Sequence, residues 1–155
     1  RGYKWQLHYT ERVKWDKLAW ARFCIPKHSL IAWVFLHHKL PTKQRFAKFI
    51  PQEDLQCPLC HREIEDEQHL FFNCQFTSTI WAELQTWWGI PAAQSSMEGR
   101  IRSTLKIKGD RQSQQITYAI FIAVIYHIWS ARNHALFKKQ TIPVMETIKN
   151  IKEQI

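Results

Sequence analysis

Four residues set the tightest constraint on how this chain folds: Cys57, Cys60, His69 and Cys74, spaced Cys-x2-Cys-x8-His-x4-Cys within one polar stretch. A Cys-x2-Cys pair forms a tight knuckle that presents two thiolates to one ion, and a second pair separated by four residues supplies the opposite edge of a tetrahedron. Pro58 restricts the turn after the first ligand, and Asp66 or Glu67 can open a single helical turn that aims His69 inward. His61 is the rival ligand. It directly follows Cys60, where its ring has difficulty closing the same tetrahedron, so the spacing favours His69. Three thiolates and one imidazole close the sphere of a single Zn2+ and leave no position for a substrate water, which makes the site structural. The alternative, free buried thiols beside a surface histidine, is disfavoured by gaps of two, eight and four in one polar window. Cys24 stands apart and reads as a buried thiol.

With 155 residues the chain is the size of one domain and can bury a core without help from a metal. Zinc therefore organises one region rather than holding up the whole. The expected division is residues 1–50 as N-terminal helices, 51–76 as the zinc knuckle and 77–155 as C-terminal helices, within a single domain. No initiator Met and no apolar leader open the chain, which reads as a segment of a longer polypeptide. The most apolar run, residues 119–129, is too short to cross a bilayer and contains His127, so no membrane span is expected.

Apolar spacing predicts a helix over residues 10–24, capped by Thr10 and ended by Pro26, with Trp15 and Trp20 on its inner face. Residues 29–38 are apolar almost all round, the mark of a central core helix. Thr42 caps a short basic helix running to Phe49. Periodicity fails from Pro51 to Cys74 and resumes at Ile80, Trp81, Leu84, Trp87 and Trp88, closed by Gly89 and Pro91. Residues 92–111 read as a basic loop. A long helix follows from Ile116 to Ala135, and a last one starts at Pro143 as a first-turn residue. The predicted fold class is an all-α helical bundle with a zinc-bound CCHC knuckle inserted after the third helix. Most tryptophans, Trp15, Trp20, Trp33, Trp81, Trp88 and Trp129 among them, are expected in the core. Leu70, Phe71 and Phe72 are expected to fasten the knuckle to the bundle; Arg132 and Asn133 either contact a partner or tie down a neighbouring loop, the structural role being preferred.

The formal charge of +9 favours an anionic partner, and its distribution says where. Residues 1–50 hold eleven Lys and Arg against two acids, whereas residues 51–98 hold only Arg62 against eight acids. Three thiolates binding Zn2+ change the charge by only about −1, so the chain stays basic. Candidate phosphate contacts are Lys39, Lys43, Arg45 and Lys48 beside Trp33, and Arg100, Arg102, Lys106, Lys108 and Arg111 in the basic loop. Enzyme patterns are absent: His61-Arg62-Glu63 lies after the cysteine pair, the wrong order for a zinc deaminase, and there is no His-Glu-x-x-His or adjacent Asp pair. The chain is not expected to be an enzyme.

The segments Ile25-Pro26-Lys27-His28-Ser29-Leu30-Ile31-Ala32-Trp33, Leu40-Pro41-Thr42, Cys57-Pro58-Leu59-Cys60 and His69-Leu70-Phe71-Phe72-Asn73-Cys74, with Trp81, resemble the reverse-transcriptase zinc-binding domain of plant LINE-type (non-LTR) retrotransposon polyproteins. Trp129, Arg132-Asn133 and Phe137 resemble the segment that commonly follows. The similarity runs over about residues 15–137 and leaves the basic loop unmatched. It implies a non-catalytic accessory module carried in cis behind a polymerase that copies its RNA at a nicked DNA target. Such a module would bind or position RNA or DNA in an intracellular, nuclear setting. It also implies host-derived copies, one of which could act as a protein–protein adaptor with a host protein partner.

Overall fold

The computed structural model describes residues 15–90 and 96–155. Among them are seven α-helices: α1 (Asp16–Ala19), α2 (Pro26–Leu36), α3 (Lys43–Phe46), α4 (Gln75–Trp88), α5 (Met97–Leu105), α6 (Arg111–Asn133) and α7 (Val144–Glu153). Two π-helical turns, His69–Asn73 and His134–Lys138, precede α4 and extend α6. The only β pairing among the described residues is one antiparallel bridge between Gln56 and Ile64. The fold is thus all-α, with the cysteine-rich loop inserted between α3 and α4.

The central helix is α6, against which α1, α2, α4, α5 and α7 all pack. Asp110 caps it by accepting from Ser113 N at 2.7 Å, and every residue from Thr117 through Ile125 is buried. A helix apolar on all sides belongs in the middle of a bundle. That place was expected for residues 29–38 and falls instead to α6. Helix α2 buries His28, Ser29, Ala32, Phe35 and Leu36 but leaves Leu30 and Trp33 exposed. Pro26 does not end a preceding helix; it opens α2 at its first position, where a missing N–H costs nothing, after Ile25 in extended conformation. Thr10 and residues 11–14 of the expected first helix lie outside the described residues, and what is described of it is a single turn.

Two further boundaries follow expectation. Thr42 accepts from Arg45 N at 3.3 Å at the start of α3, and Gly89 closes α4 with φ +79. Of the loop expected over residues 92–111, residues 92–95 lie outside the described residues, and 97–105 are corrected to α5, capped by Ser96, whose hydroxyl accepts from Gly99 N at 3.0 Å. Its inner face is Met97, Arg100 and Thr104, so two polar residues masked the helical stripe. The tryptophans are also corrected in part. Trp81 and Trp129 are buried, whereas Trp20 is 60% exposed and Trp33 and Trp88 are more than one-third exposed. Trp88 turns its indole N–H to Thr117 Oγ1 at 2.9 Å, so the ring lies on the surface with its polar edge satisfied.

Candidate metal centre

The Cys57–Cys60 knuckle sits at the tip of a short ribbon. Cys57 N donates to Glu63 O at 2.8 Å, Glu65 N to Leu55 O at 2.9 Å, and His61 N to Cys57 O at 2.9 Å. His61 occupies the left-handed corner of that turn with φ 56, and its side chain is exposed. It therefore stands outside the ligand set, as the spacing predicts.

The second pair is built by the π-helical turn. Asp66 Oδ1 accepts from His69 N at 2.6 Å, capping the turn, and Cys74 N closes it on His69 O at 2.7 Å. Residues five apart on an α-helix point about 140° away from each other, at 100° per residue. Widening the turn to an i+5 bond swings Cys74 back towards His69, which is how a His-x4-Cys spacing becomes a ligand pair.

The four donor atoms of Cys57, Cys60, His69 and Cys74 all lie within 4.8 Å of one another. Cys57 Sγ is 3.9 Å from Cys74 Sγ, and Cys60 Sγ is 3.2 Å from His69 Nε2. A tetrahedral zinc with ordinary bond lengths has S···S edges of about 3.8 Å and S···N edges of about 3.5 Å. Both observed edges match to within a few tenths of an ångström. Protein groups alone push the Cys57 thiol up, first through the Cys74 sulfur and then through burial, while the same contact draws the Cys74 thiol down. A divalent cation is the partner that lets both ionise. The donor set fits one structural zinc ion, which when bound supplies a cross-link between the ribbon and the π turn.

Beyond the ligands, the turn is fixed to the core. Leu70 and Phe71 are fully buried and Phe72 nearly so. Phe71 stands edge-on to Phe35, with ring centroids 4.8 Å apart, and its carbonyl accepts from Trp81 Nε1 at 2.7 Å. These are the fastening roles expected of Leu70, Phe71 and Phe72.

A second anchor, Glu65, was not singled out from sequence. Its side chain is fully buried and accepts from Arg132 twice, Nε to Oε2 at 3.0 Å and Nη2 to Oε1 at 2.8 Å. Oε1 also accepts from Lys43 N at 2.7 Å, and the Glu65 carbonyl accepts from Gln44 N at 3.1 Å. One carboxylate thus joins the metal loop, the start of α3 and the end of α6. Arg132 additionally donates to Pro41 O at 3.3 Å and lies over the Trp129 ring at 4.6 Å. Arg132 therefore ties down a loop, as expected. The signal for its partner was available: an arginine inside an apolar helix requires a buried acid.

The basic residues separate into engaged and exposed groups. Arg100 is corrected as a phosphate contact: it is 2% exposed, with its guanidinium 4.6 Å from the Trp81 ring, and burial draws its pKa down. Lys43 Nζ binds Asp54 at 2.9 Å, a contact that also lowers the Asp54 carboxyl. Arg45 is half-buried. Lys39, Lys48, Arg102, Lys106, Lys108 and Arg111 are exposed. His38 Nδ1 pairs with Glu67 Oε2 at 2.8 Å, so acids of the metal loop grip the segment that carries His38 and Lys43.

No helix among the described residues is long and apolar enough to cross a membrane. No curated protein and no solved structure matches the chain significantly. A family described as zinc-binding in reverse transcriptase matches residues 1–81, just over half of the chain and including all four ligands. That family is an accessory zinc-binding domain and not the polymerase itself. With the ligand geometry and the family match in agreement, the chain belongs to the reverse-transcriptase zinc-binding family.

Proposed function

We propose that this domain accompanies a reverse transcriptase in cis, in a LINE-type (non-LTR) element, and binds or positions RNA or DNA during target-primed reverse transcription. The observation that carries the reading is the segregation of charge. Lys39, Lys48, Arg102, Lys106, Lys108 and Arg111 are exposed, while Asp54, Glu65 and Glu67 of the metal loop are occupied by Lys43, Arg132 and His38. Glu53 and Glu63 of the same loop are exposed as well, but the exposed cations outnumber them, and that positive excess suits a polyanion. Copying at chromosomal DNA would place the domain in the nucleus.

The test is the salt dependence of binding. Engagement of all six exposed cations gives a slope of about −4 to −5 in log K against log salt, and replacing Arg102, Lys106 and Lys108 together flattens it by about 2 to 3. Binding that ignores salt, or no binding to any nucleic acid, would reject the proposal. A second reading, a host protein adaptor, is favoured by the exposed Trp20, Phe23 and Leu30. A stoichiometric protein complex that excludes nucleic acid would select it.

A further inference from the structure

No acidic residue occurs in residues 17–52. Of the metal-loop acids that reach this stretch, Asp54 pairs with Lys43, Glu67 with His38 and Glu65 with Arg132, while Glu53, just beyond it, is exposed. Within it, α3 runs on into one further hydrogen-bonded turn, with Phe49 N and Ile50 N both donating to Phe46 O at 3.0 Å. That geometry puts Phe46, Phe49 and Ile50 on one face, and they are 42%, 75% and 52% exposed. Arg45 and Lys48 alternate with them, and Lys48 is exposed. Three large apolar side chains facing water on one turn are costly in a chain that buries so much else. The start of α3 leading into it is anchored: Thr42 caps the helix, and Glu65 binds the amides of Lys43 and Gln44.

We propose that the face bearing Phe46, Phe49 and Ile50, flanked by the exposed Lys48, is a stacking platform for single-stranded nucleic acid. The inference rests on the nucleic-acid reading above and names its ligand class. An exposed ring offers its face to an unstacked base, and the neighbouring Lys48 takes an adjoining phosphate. In a duplex the base faces are already stacked on one another, so the rings gain nothing there. The absence of acids over 36 consecutive residues favours a polyanion over a neutral or basic protein surface.

The experiment is an anisotropy titration of the zinc-loaded protein on a short labelled single strand and on the duplex of the same sequence. The single strand should bind more tightly. Phe49→Ala should weaken single-strand binding about tenfold, within the span of one base–aromatic stack, and leave the salt slope unchanged. Phe49→Trp should retain affinity, whereas Lys48→Ala should reduce the slope by about 0.7. Phe49 is three-quarters exposed, so thermal melting of Phe49→Ala should match the parent and exclude misfolding as the cause. Equal affinity of Phe49→Ala and parent for the single strand, or a preference for the duplex, overturns the platform. If salt-dependent binding then still falls on replacing Arg102, Lys106 and Lys108, the general nucleic-acid reading survives without it. Capture of an acidic protein or of anionic vesicles through Phe49, with no nucleic acid bound, would remove both.

Discussion

At the level of single residues, the Glu65–Arg132 pair is the most consequential contact outside the metal ligands. Both side chains are almost wholly shielded from water, 0% and 4% exposed, and the carboxylate also accepts a backbone amide. Removing one partner of a buried pair leaves the other charged and unsolvated, at a cost of about 3 to 5 kcal/mol. Glu65→Ala should therefore lower unfolding stability by about that amount in urea titrations. Replacing both Glu65 and Arg132 with apolar residues should recover part of the loss, and a double variant as unstable as the sum of the singles would contradict the coupling. His28 gives a second prediction at this scale. It is 2% exposed, stacks on Tyr126 at 4.2 Å, meets His127 edge-on and lies near Lys27. Burial first, then the charges of His127 and Lys27, lower its pKa to about 4 from 6.5. Because the unfolded chain takes up that proton first, His28 destabilises the fold progressively as pH drops from 6.5 towards 4. The loss reaches about 2 kcal/mol by pH 5. A His28→Phe variant should lose less stability than the parent between pH 7.5 and pH 5, measured by parallel urea titrations.

At the level of elements, the loop between α3 and α4 has little regular backbone bonding: one bridge, one tight turn and one π turn. The ligand set joins its two halves while Leu70, Phe71 and the Glu65–Arg132 pair fix it to the core, whereas α4, α6 and α7 rest on apolar burial. Chelating zinc, or Cys57→Ser with Cys74→Ser, should therefore reduce hydrogen-exchange protection at Cys57 and Cys74 more than at Glu65, while most helical circular dichroism persists. Helix α5 offers a separate check. Removing its cap with Ser96→Ala should cost about 1 kcal/mol, seen as a lower urea midpoint. What the sequence disclosed at this scale follows from the physics of each element. The ligand set was legible because metal geometry dictates spacing, and Thr42, Gly89 and the long α6 were legible because caps and periodicity are local. Helix α5 was hidden because Arg100 and Thr104 occupy inward positions where the apolar pattern should appear. The π turn was hidden because nothing in His69-Leu70-Phe71-Phe72-Asn73 distinguishes an i+5 bond from an i+4 bond before the ligands are drawn together.

Across the whole molecule, charge and hydrophobicity behave differently as guides. Net basicity and the acidic character of the metal loop could be read by counting, but which cations stay available could not, because Lys43 meets Asp54 and Arg100 meets Trp81 only in three dimensions. Tryptophans misled for a related reason: the ring is apolar enough to suggest burial yet carries a donor that can be satisfied at the surface, as Trp88 is by Thr117. The indole of Trp81 is the opposite case, sealed in the core with its N–H on the carbonyl of Phe71, inside the very turn that brings His69 and Cys74 together. Ion occupancy should therefore be readable at a proton with its own resonance. As the cation leaves and that turn relaxes, one indole signal should move upfield, giving the domain a built-in gauge of its own loading that needs no label and no ligand.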